Sequence, residues 1–136
     1  MMTKKTKPRI AVFDDSKEAL RRFAGKFENT EVELQMFRSP LLNDYHLKIL
    51  KEFKPNLIVV SLIMGGFRED GYNLIRDIRK SGVCKDASFV VCSKLINNSE
   101  LGLKERKQCM HTPGVVAAYS KFPDYPPAGE ILGYVK

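Results

Sequence analysis

Hydrophobic residues recur along this chain in short runs that are separated by longer segments of mixed polarity. Four apolar runs have the length of a strand: Ile10–Phe13, Leu57–Leu62, Phe89–Cys92 and Val115–Tyr119. Runs of this kind are typical of strands that are covered on both faces. A fifth run, Val32–Phe37, alternates between apolar and polar residues and therefore indicates a half-exposed or edge strand.

The segments between these runs carry the signals of helices. Ser16 can cap a first helix that continues to Phe27. Ser39, followed by Pro40 at the first helical position, predicts the start of a second helix. One face of that helix would carry Leu42, Tyr45, Ile49 and Phe53.

Three further helices are predicted, and they complete an alternating order. They are a third helix from Asp70-Gly71 with Leu74, Ile75 and Ile78 pointing inward, a fourth from Asn98-Ser99 to about Met110, and a short fifth from about Pro127 to Tyr134. Strands that alternate with helices imply parallel crossover connections. We therefore predict a doubly wound, three-layer α/β sandwich with a parallel five-stranded sheet.

Polar residues stand at the carboxyl ends of four of the five strands. Asp14 and Asp15 follow the first strand, Ser61 lies near the end of the third, Ser93 follows the fourth and Lys121 follows the fifth. In open parallel sheets, function is concentrated at these ends, where the strand order reverses. We expect the two carboxylates, two hydroxyls and one ammonium to share a shallow cleft.

In this order and spacing, the segments resemble the receiver domain of bacterial two-component response regulators. The resemblance rests on RIAVFDDS, PNLIVVSLIMGGFREDGYNLIRDIRK, SFVVCSK and GVVAAYSKFP, and it covers nearly the whole chain. It implies a flavodoxin-like (βα)5 fold with strand order 2-1-3-4-5. It also implies one receiver-like domain over residues 9–136, after a basic tail at residues 1–8, and a place in phosphorelay signal transduction.

The resemblance gives each polar strand end a role. Asp14 and Asp15 would hold Mg²⁺, and the backbone carbonyl of Ile63 would complete the metal shell. A hydroxyl that contacts the phosphoryl group maps to Ser93, and the Lys that pairs with the acceptor maps to Lys121. The acceptor in that family is an Asp at the end of the third strand, and the sequence has Ser61 there.

Ser61 changes the expected chemistry, because phosphotransfer in that family needs a carboxylate nucleophile. A neutral hydroxyl would need a base, and neither His46 nor His111 falls at the strand ends. We therefore expect no catalytic residue and no enzymatic activity. The alternative is a phosphorelay protein with residual Mg²⁺-dependent phosphoryl chemistry at Ser61 or a neighbouring carboxylate.

The missing carboxylate also weakens the metal site. With two carboxylates in place of three, we expect no required cofactor and at most weak Mg²⁺ binding. Lys121 would then form an ion pair with Asp14 or Asp15. A structural role stays open for the acidic pair and for Ser93, which could cap the turns that follow their strands.

Further departures from the receiver pattern agree with this interpretation. Lys94 stands where the family has a small residue, and Ala118 stands where it often has an aromatic residue, with Tyr119 next to it. Phe122 precedes Pro123, although the family usually has Pro directly after the Lys. These departures are typical of a pseudo-receiver, in which the scaffold is kept and the covalent switch is lost.

We therefore expect a signal-transduction module that acts by protein–protein interaction, independently of phosphorylation. Its partner would be a histidine kinase or a downstream effector, and a homodimer is a further option. The candidate interface residues are Lys94, Lys104, Arg106, Lys107 and Tyr119. A flavin or nucleotide binder on the same fold is disfavoured, because FDDSKEA places two carboxylates where a phosphate loop would be.

Composition and charge narrow these options. A chain of 136 residues fits one domain, and no apolar run reaches the roughly 18–20 residues that span a bilayer. With no secretory h-region either, we expect a cytoplasmic protein. Four of the seven net positive charges lie in the first nine residues, so the charge alone does not predict nucleic-acid binding. Three cysteines without a C-x-x-C pair argue against a disulfide framework or a zinc site.

Overall fold

The computed structural model describes residues 7–39, 41–67, 69–121 and 124–135, in which strands and helices alternate. The strands are β1 (Arg9–Phe13), β2 (Glu33–Phe37), β3 (Leu57–Val60), β4 (Ser88–Ser93) and β5 (Val115–Ser120). The helices are α1 (Lys17–Lys26), α2 (Asp44–Phe53), α3 (Glu69–Ser81), α4 (Glu100–Met110) and α5 (Ala128–Leu132). None of these helices is long and apolar enough to cross a membrane.

The five strands form one parallel sheet in the order β2-β1-β3-β4-β5. The predicted flavodoxin-like fold and strand order are confirmed. Successive side chains of a strand point to opposite faces, so β1 places Ile10 and Val12 in one core and Ala11 and Phe13 in the other. The first core also contains residues of α1 and α5, and the second contains residues of α2, α3 and α4.

The predicted caps of two helices are present. The side chain of Ser16 accepts a hydrogen bond from the N–H of Ala19 at the start of α1, and Ser99 accepts one from Gly102 at the start of α4. Each bond provides a partner for a backbone donor that the first helical turn leaves unpaired. The helices therefore begin where the capping residues predict.

The predicted start of α2 is wrong, and Pro40 lies outside the described residues. The helix begins at Asp44, after Asn43, whose side chain accepts from the N–H of His46 in a capping box. The hydroxyl of Ser39 bonds to the backbone two residues further on, so it does not cap the helix. Two competing capping residues lie close together, and local hydrogen bonding selects the second.

The buried face of α2 also differs from the prediction. Tyr45 was expected to face inward, but it is 68% exposed. Leu50 is buried in its place, while Ile49 and Phe53 pack against the same core. The later start of the helix is consistent with this change, because Tyr45 falls in its first turn.

Strand β3 is shorter than the predicted run from Leu57 to Leu62. It ends at Val60, so Ser61 is the first residue after the strand. The N–H of Ser61 still donates to the carbonyl of Phe13 at 3.0 Å, which holds Ser61 beside the end of β1. Ser61 therefore lies at the carboxyl edge of the sheet, where the site residues were expected.

Candidate functional site

Asp14 is a fully buried carboxylate at the carboxyl edge of the sheet. It follows β1 directly, and its N–H donates to the carbonyl of Phe37 on β2 at 3.0 Å. Its Oδ1 atom accepts a hydrogen bond from the N–H of Ser16 at 3.0 Å. A buried charge needs further compensation from donors or from a cation. Both are present at Oδ2.

Lys121 supplies the cation. Its Nζ atom lies 2.8 Å from Oδ2 of Asp14 and 3.0 Å from Oγ of Ser61. The backbone N–H of Lys121 donates to the carbonyl of Ser93 at 3.1 Å, which fixes the residue beside the end of β4. Lys121 was predicted to pair with Asp14 or Asp15, and the pair with Asp14 is confirmed. One ammonium thus connects the ends of β1, β3 and β5.

Tyr125 completes the cluster, and sequence reasoning missed it. Its hydroxyl donates to Oδ2 of Asp14 at 2.5 Å, and its ring lies 5.7 Å from the ammonium of Lys121. The ring also packs edge-on against Phe23 of α1, with centroids 4.9 Å apart. Burial, followed by the charge of Asp14, raises the pKa of Tyr125, so the hydroxyl keeps its proton. The side chain is 3% exposed and covers the carboxylate.

The loop that carries Tyr125 is attached to α1 through Asp124. The carboxylate of Asp124 lies 3.2 Å from Nζ of Lys26 and 3.6 Å from Nε of Arg22. It also accepts a hydrogen bond from the N–H of Tyr125 at 2.8 Å. Burial raises the pKa of Asp124, but this N–H and Lys26 outweigh it and lower the pKa below its usual value. The ionised carboxylate therefore holds the Tyr125 loop against the helix.

Asp15 and Ser93 lie near this cluster, but their described contacts are different. Asp15 is exposed, and its pKa is raised by partial burial and then by the negative charge of Asp14. Ser93 is buried, and its hydroxyl accepts from the N–H of Leu95 at 3.1 Å. Ser93 therefore caps the turn after β4, which is the structural role that the sequence left open.

The carboxylates at this edge do not fit a divalent cation without rearrangement. The resemblance assigned Mg²⁺ to Asp14, Asp15 and the carbonyl of Ile63, but Oδ2 of Asp14 already accepts from Lys121 and Tyr125. Within the described part of the chain, no three His, Cys, Asp or Glu side chains are grouped to hold a metal. A Mg²⁺ ion bound at Oδ2 of Asp14 would compete with the ammonium of Lys121 for that oxygen.

The candidate interface residues lie outside this cluster. Lys104, Arg106 and Lys107 are exposed on α4, and Lys94 is exposed in the turn after β4. Tyr119 is half-buried, because its hydroxyl lies 2.5 Å from the hydroxyl of Tyr134 and donates to Glu130 at 3.1 Å. The cations on α4 are therefore accessible, while Tyr119 is engaged by the C-terminal segment.

Comparison with known proteins identifies the fold. No protein-family model and no curated protein matches the sequence. Crystal structures of receiver domains match the fold. This chain has the receiver-domain fold.

Three of these structures illustrate the similarity. The receiver domain of an HD domain-containing protein from Pseudomonas fluorescens is 16% identical, with a TM-score of 0.67 over 89% of this chain and 80% of that one. A putative response regulator from Chloroflexus aurantiacus is 15% identical, with a TM-score of 0.65 over 94% and 93%. A chemotaxis protein of Vibrio cholerae is 11% identical, with a TM-score of 0.66 over 93% of each chain.

Proposed function

We propose that this chain is a signal-transduction module that acts through protein–protein contacts and does not use phosphorylation. The observation that carries this proposal is the Lys121 ammonium, which binds both the Asp14 carboxylate and the Ser61 hydroxyl. In the receiver family that the sequence resembles, an acceptor carboxylate would stand at the position of Ser61. Here that position holds a neutral hydroxyl.

The surroundings of Ser61 support the absence of phosphotransfer. A serine nucleophile needs a base within about 2.6–3.2 Å to take its proton. The group at that distance from Ser61 is the ammonium of Lys121, which has no lone pair to accept a proton. Asp14 would be the nearest alternative base, but it is paired with Lys121 and covered by Tyr125.

Helix α4 and strand β5 offer a surface for the proposed contact. Leu101 and Leu103 of α4 are 78% and 54% exposed, and Val116 of β5 is 39% exposed. Exposed apolar side chains that are rimmed by polar or charged residues are typical of protein interaction surfaces. The cations are Lys104, Arg106 and Lys107. The proposed partner is a histidine kinase or a downstream effector that presents acidic and apolar groups.

Affinity capture with and without a phosphodonor tests this proposal. The purified protein, used as bait in a lysate of its source cells, should recover the same partner in both conditions. Replacing Arg106 and Lys107 by Glu should weaken that binding at least about tenfold, because like charges would face the partner. Lys48→Glu, an exposed change on α2, is the matched control and should leave binding unchanged. A partner recovered only after phosphodonor treatment would contradict the proposal and favour the residual phosphoryl chemistry.

A further inference from the structure

A basic cleft lies at the opposite end of the sheet from Asp14. It is formed by the start of β1, the end of α2 and the connection between α3 and β4, and its volume is about 700 Å³. Four cationic side chains line it: Arg9, Lys51, Lys54 and Lys85. Its volume falls within the roughly 300–1,000 Å³ that small-molecule sites occupy. The cleft is therefore large enough for a small ligand.

The four positive charges exceed the negative charges that surround the cleft. Helices α2 and α3 both end at this cleft, and each helix C-terminus carries about half a negative charge. Asp86 is the one acidic residue in the lining. These charges together leave a surplus of about two positive charges. None of the four cations forms an ion pair within the described residues.

Lys54 places a cation at this cleft in a backbone conformation that is unfavourable for a residue other than glycine. It ends α2 with φ of 53° and ψ of 64°, in the left-handed region that favours Gly. Its carbonyl accepts a hydrogen bond from Nε of Arg9 at 2.9 Å, so the same turn positions the guanidinium. A glycine would form this turn more easily, but it would remove one of the four charges.

The remaining lining, among the described residues, offers the Asn56 amide as a donor and has no aromatic rings. Asn56 uses its Oδ1 atom to accept from the N–H of Arg9 at 2.8 Å, which orients the amide nitrogen as a further donor. The lining residues include Ser81, Gly82 and Cys84, and none of them is Phe, Tyr or Trp. Single-stranded nucleic acids bind on aromatic platforms, so this cleft does not suit their bases.

We propose that this cleft binds a small anion with two or more negative charges, of the diphosphate class. The surplus charge, the four cationic residues that line the cleft and its volume match such a ligand. The site does not share a residue with the Asp14 cluster. It would therefore remain if the proposed function at the other end of the sheet were wrong.

An NMR titration of the 15N-labelled protein with inorganic pyrophosphate at constant ionic strength tests this inference. We expect saturable shifts centred on the amides of Asn56 and Gly82. The variants Lys54→Asn and Lys85→Gln should each weaken binding about fivefold, since each removes one charge from the site. Asn tolerates the left-handed conformation of position 54. Lys48→Gln, six residues before Lys54 on α2 and outside the lining, is the matched control and should leave affinity unchanged.

Three outcomes would overturn the inference. The first is the absence of saturation. The second is an equal loss of affinity in Lys48→Gln, which would show that pyrophosphate follows the net charge and not the cleft. The third is tighter binding of a short DNA duplex than of pyrophosphate through the same amides, because that would assign the cleft to a nucleic-acid backbone.

Discussion

At the scale of single residues, the buried carboxylate of Asp14 dominates the candidate site. It is the one charged side chain without solvent exposure among the described residues, and three donors hold it. Breaking a buried ion pair by removing one partner costs more than the pair itself contributes, because the other charge stays buried. The partners of Asp14 are therefore sensitive positions for stability.

Replacing Lys121 by Met should lower the free energy of unfolding by about 3–5 kcal/mol, because Asp14 would remain buried without its cation. Urea denaturation measures this loss. The double variant Asp14→Asn/Lys121→Met should recover much of it, since both charges are then gone. Lys48→Met, an exposed control, should change stability by no more than about 0.5 kcal/mol. If Lys121→Met lost no more stability than the Lys48→Met control, the buried ion pair would be refuted.

Tyr125→Phe removes one hydroxyl and keeps the ring that packs on Phe23. Hydrogen bonds to charged groups contribute about 1.5–3 kcal/mol, so we expect a loss of that size in the free energy of unfolding. Tyr45→Phe is the matched control, because Tyr45 is 68% exposed, and it should be close to neutral in the same urea titration. Equal effects in the two variants would mean that the Tyr125 hydroxyl does not support Asp14.

Asp15→Asn should slightly stabilise the protein at neutral pH. The pKa of Asp15 is raised above its ordinary value of 3.8, so the ionised form is less favourable in the folded state. The gain should be about 0.5 kcal/mol or less because Asp15 is exposed. It should disappear as the pH falls below 3.8, where wild-type Asp15 is protonated in both states. Thermal unfolding between pH 3 and pH 7, with Glu31→Gln as the control, checks the sign. A gain that grew towards low pH would contradict it.

At the scale of elements, the approach of α3 to the end of β3 places Ser61. A Cβ atom added to Gly71 would lie 2.6 Å from both the carbonyl oxygen of Ser61 and the Cα of Leu62. The N–H of Gly71 donates to the carbonyl of Leu62 at 2.8 Å. Asp70 also links the start of α3 to the loop after β3, because its carboxylate accepts a hydrogen bond from the N–H of Gly65 at 2.8 Å. The first turn of α3 therefore needs a glycine at position 71.

Gly71→Ala should thus destabilise the protein by about 1–3 kcal/mol, because the contacted atoms belong to backbone that cannot move freely. Gly25→Ala in α1 is the matched control, since nothing lies within 4 Å of its added Cβ. That change should stabilise the protein by about 0.5–1 kcal/mol through helix propensity. Thermal denaturation of the two variants separates the results, and stabilisation of both would contradict the close packing of α3 on β3.

Most of the elements were predictable because their signals are local. Continuous apolar runs predicted the buried strands, and alternation predicted that Val32–Phe37 forms an edge strand, as β2 does. The start of α2 was not predictable, because Ser39 and Asn43 are about equally good caps, and only the local hydrogen bonds of the folded chain show that Asn43 is used. The ion pair at the carboxyl edge of the sheet was predictable from the fold, since Asp14 and Lys121 directly follow strands.

Tyr125 was not predictable, because its partner Asp14 is 111 residues away and its loop has no periodicity. The available signal was an isolated aromatic residue between Asp124 and two prolines. Such a residue has too little local pattern to show which side of the sheet it covers. Such a contact between residues far apart in sequence depends on where the whole fold places the loop.

At the scale of the whole molecule, the sheet has two ends of different character. Its carboxyl edge holds Asp14 closed by Lys121 and Tyr125, and its amino end holds the basic cleft around Lys54. The receiver-type fold thus carries a neutralised, covered acidic site where the resembling family has its phosphorylation site. This arrangement supports the proposal that the protein signals without a phosphoryl group.

The most direct test is the intact mass of the protein after incubation with a small-molecule phosphodonor and Mg²⁺. An aspartate-accepting receiver domain treated in parallel confirms that the donor is active. We predict that the mass of this protein stays unchanged, because the described side-chain partner of Ser61 is the Lys121 ammonium, which is not a base, and Asp14 is bound by Lys121. A stoichiometric phosphoryl adduct, mapped to Ser61, Asp14 or Asp15, would contradict the proposed phosphorylation-independent function.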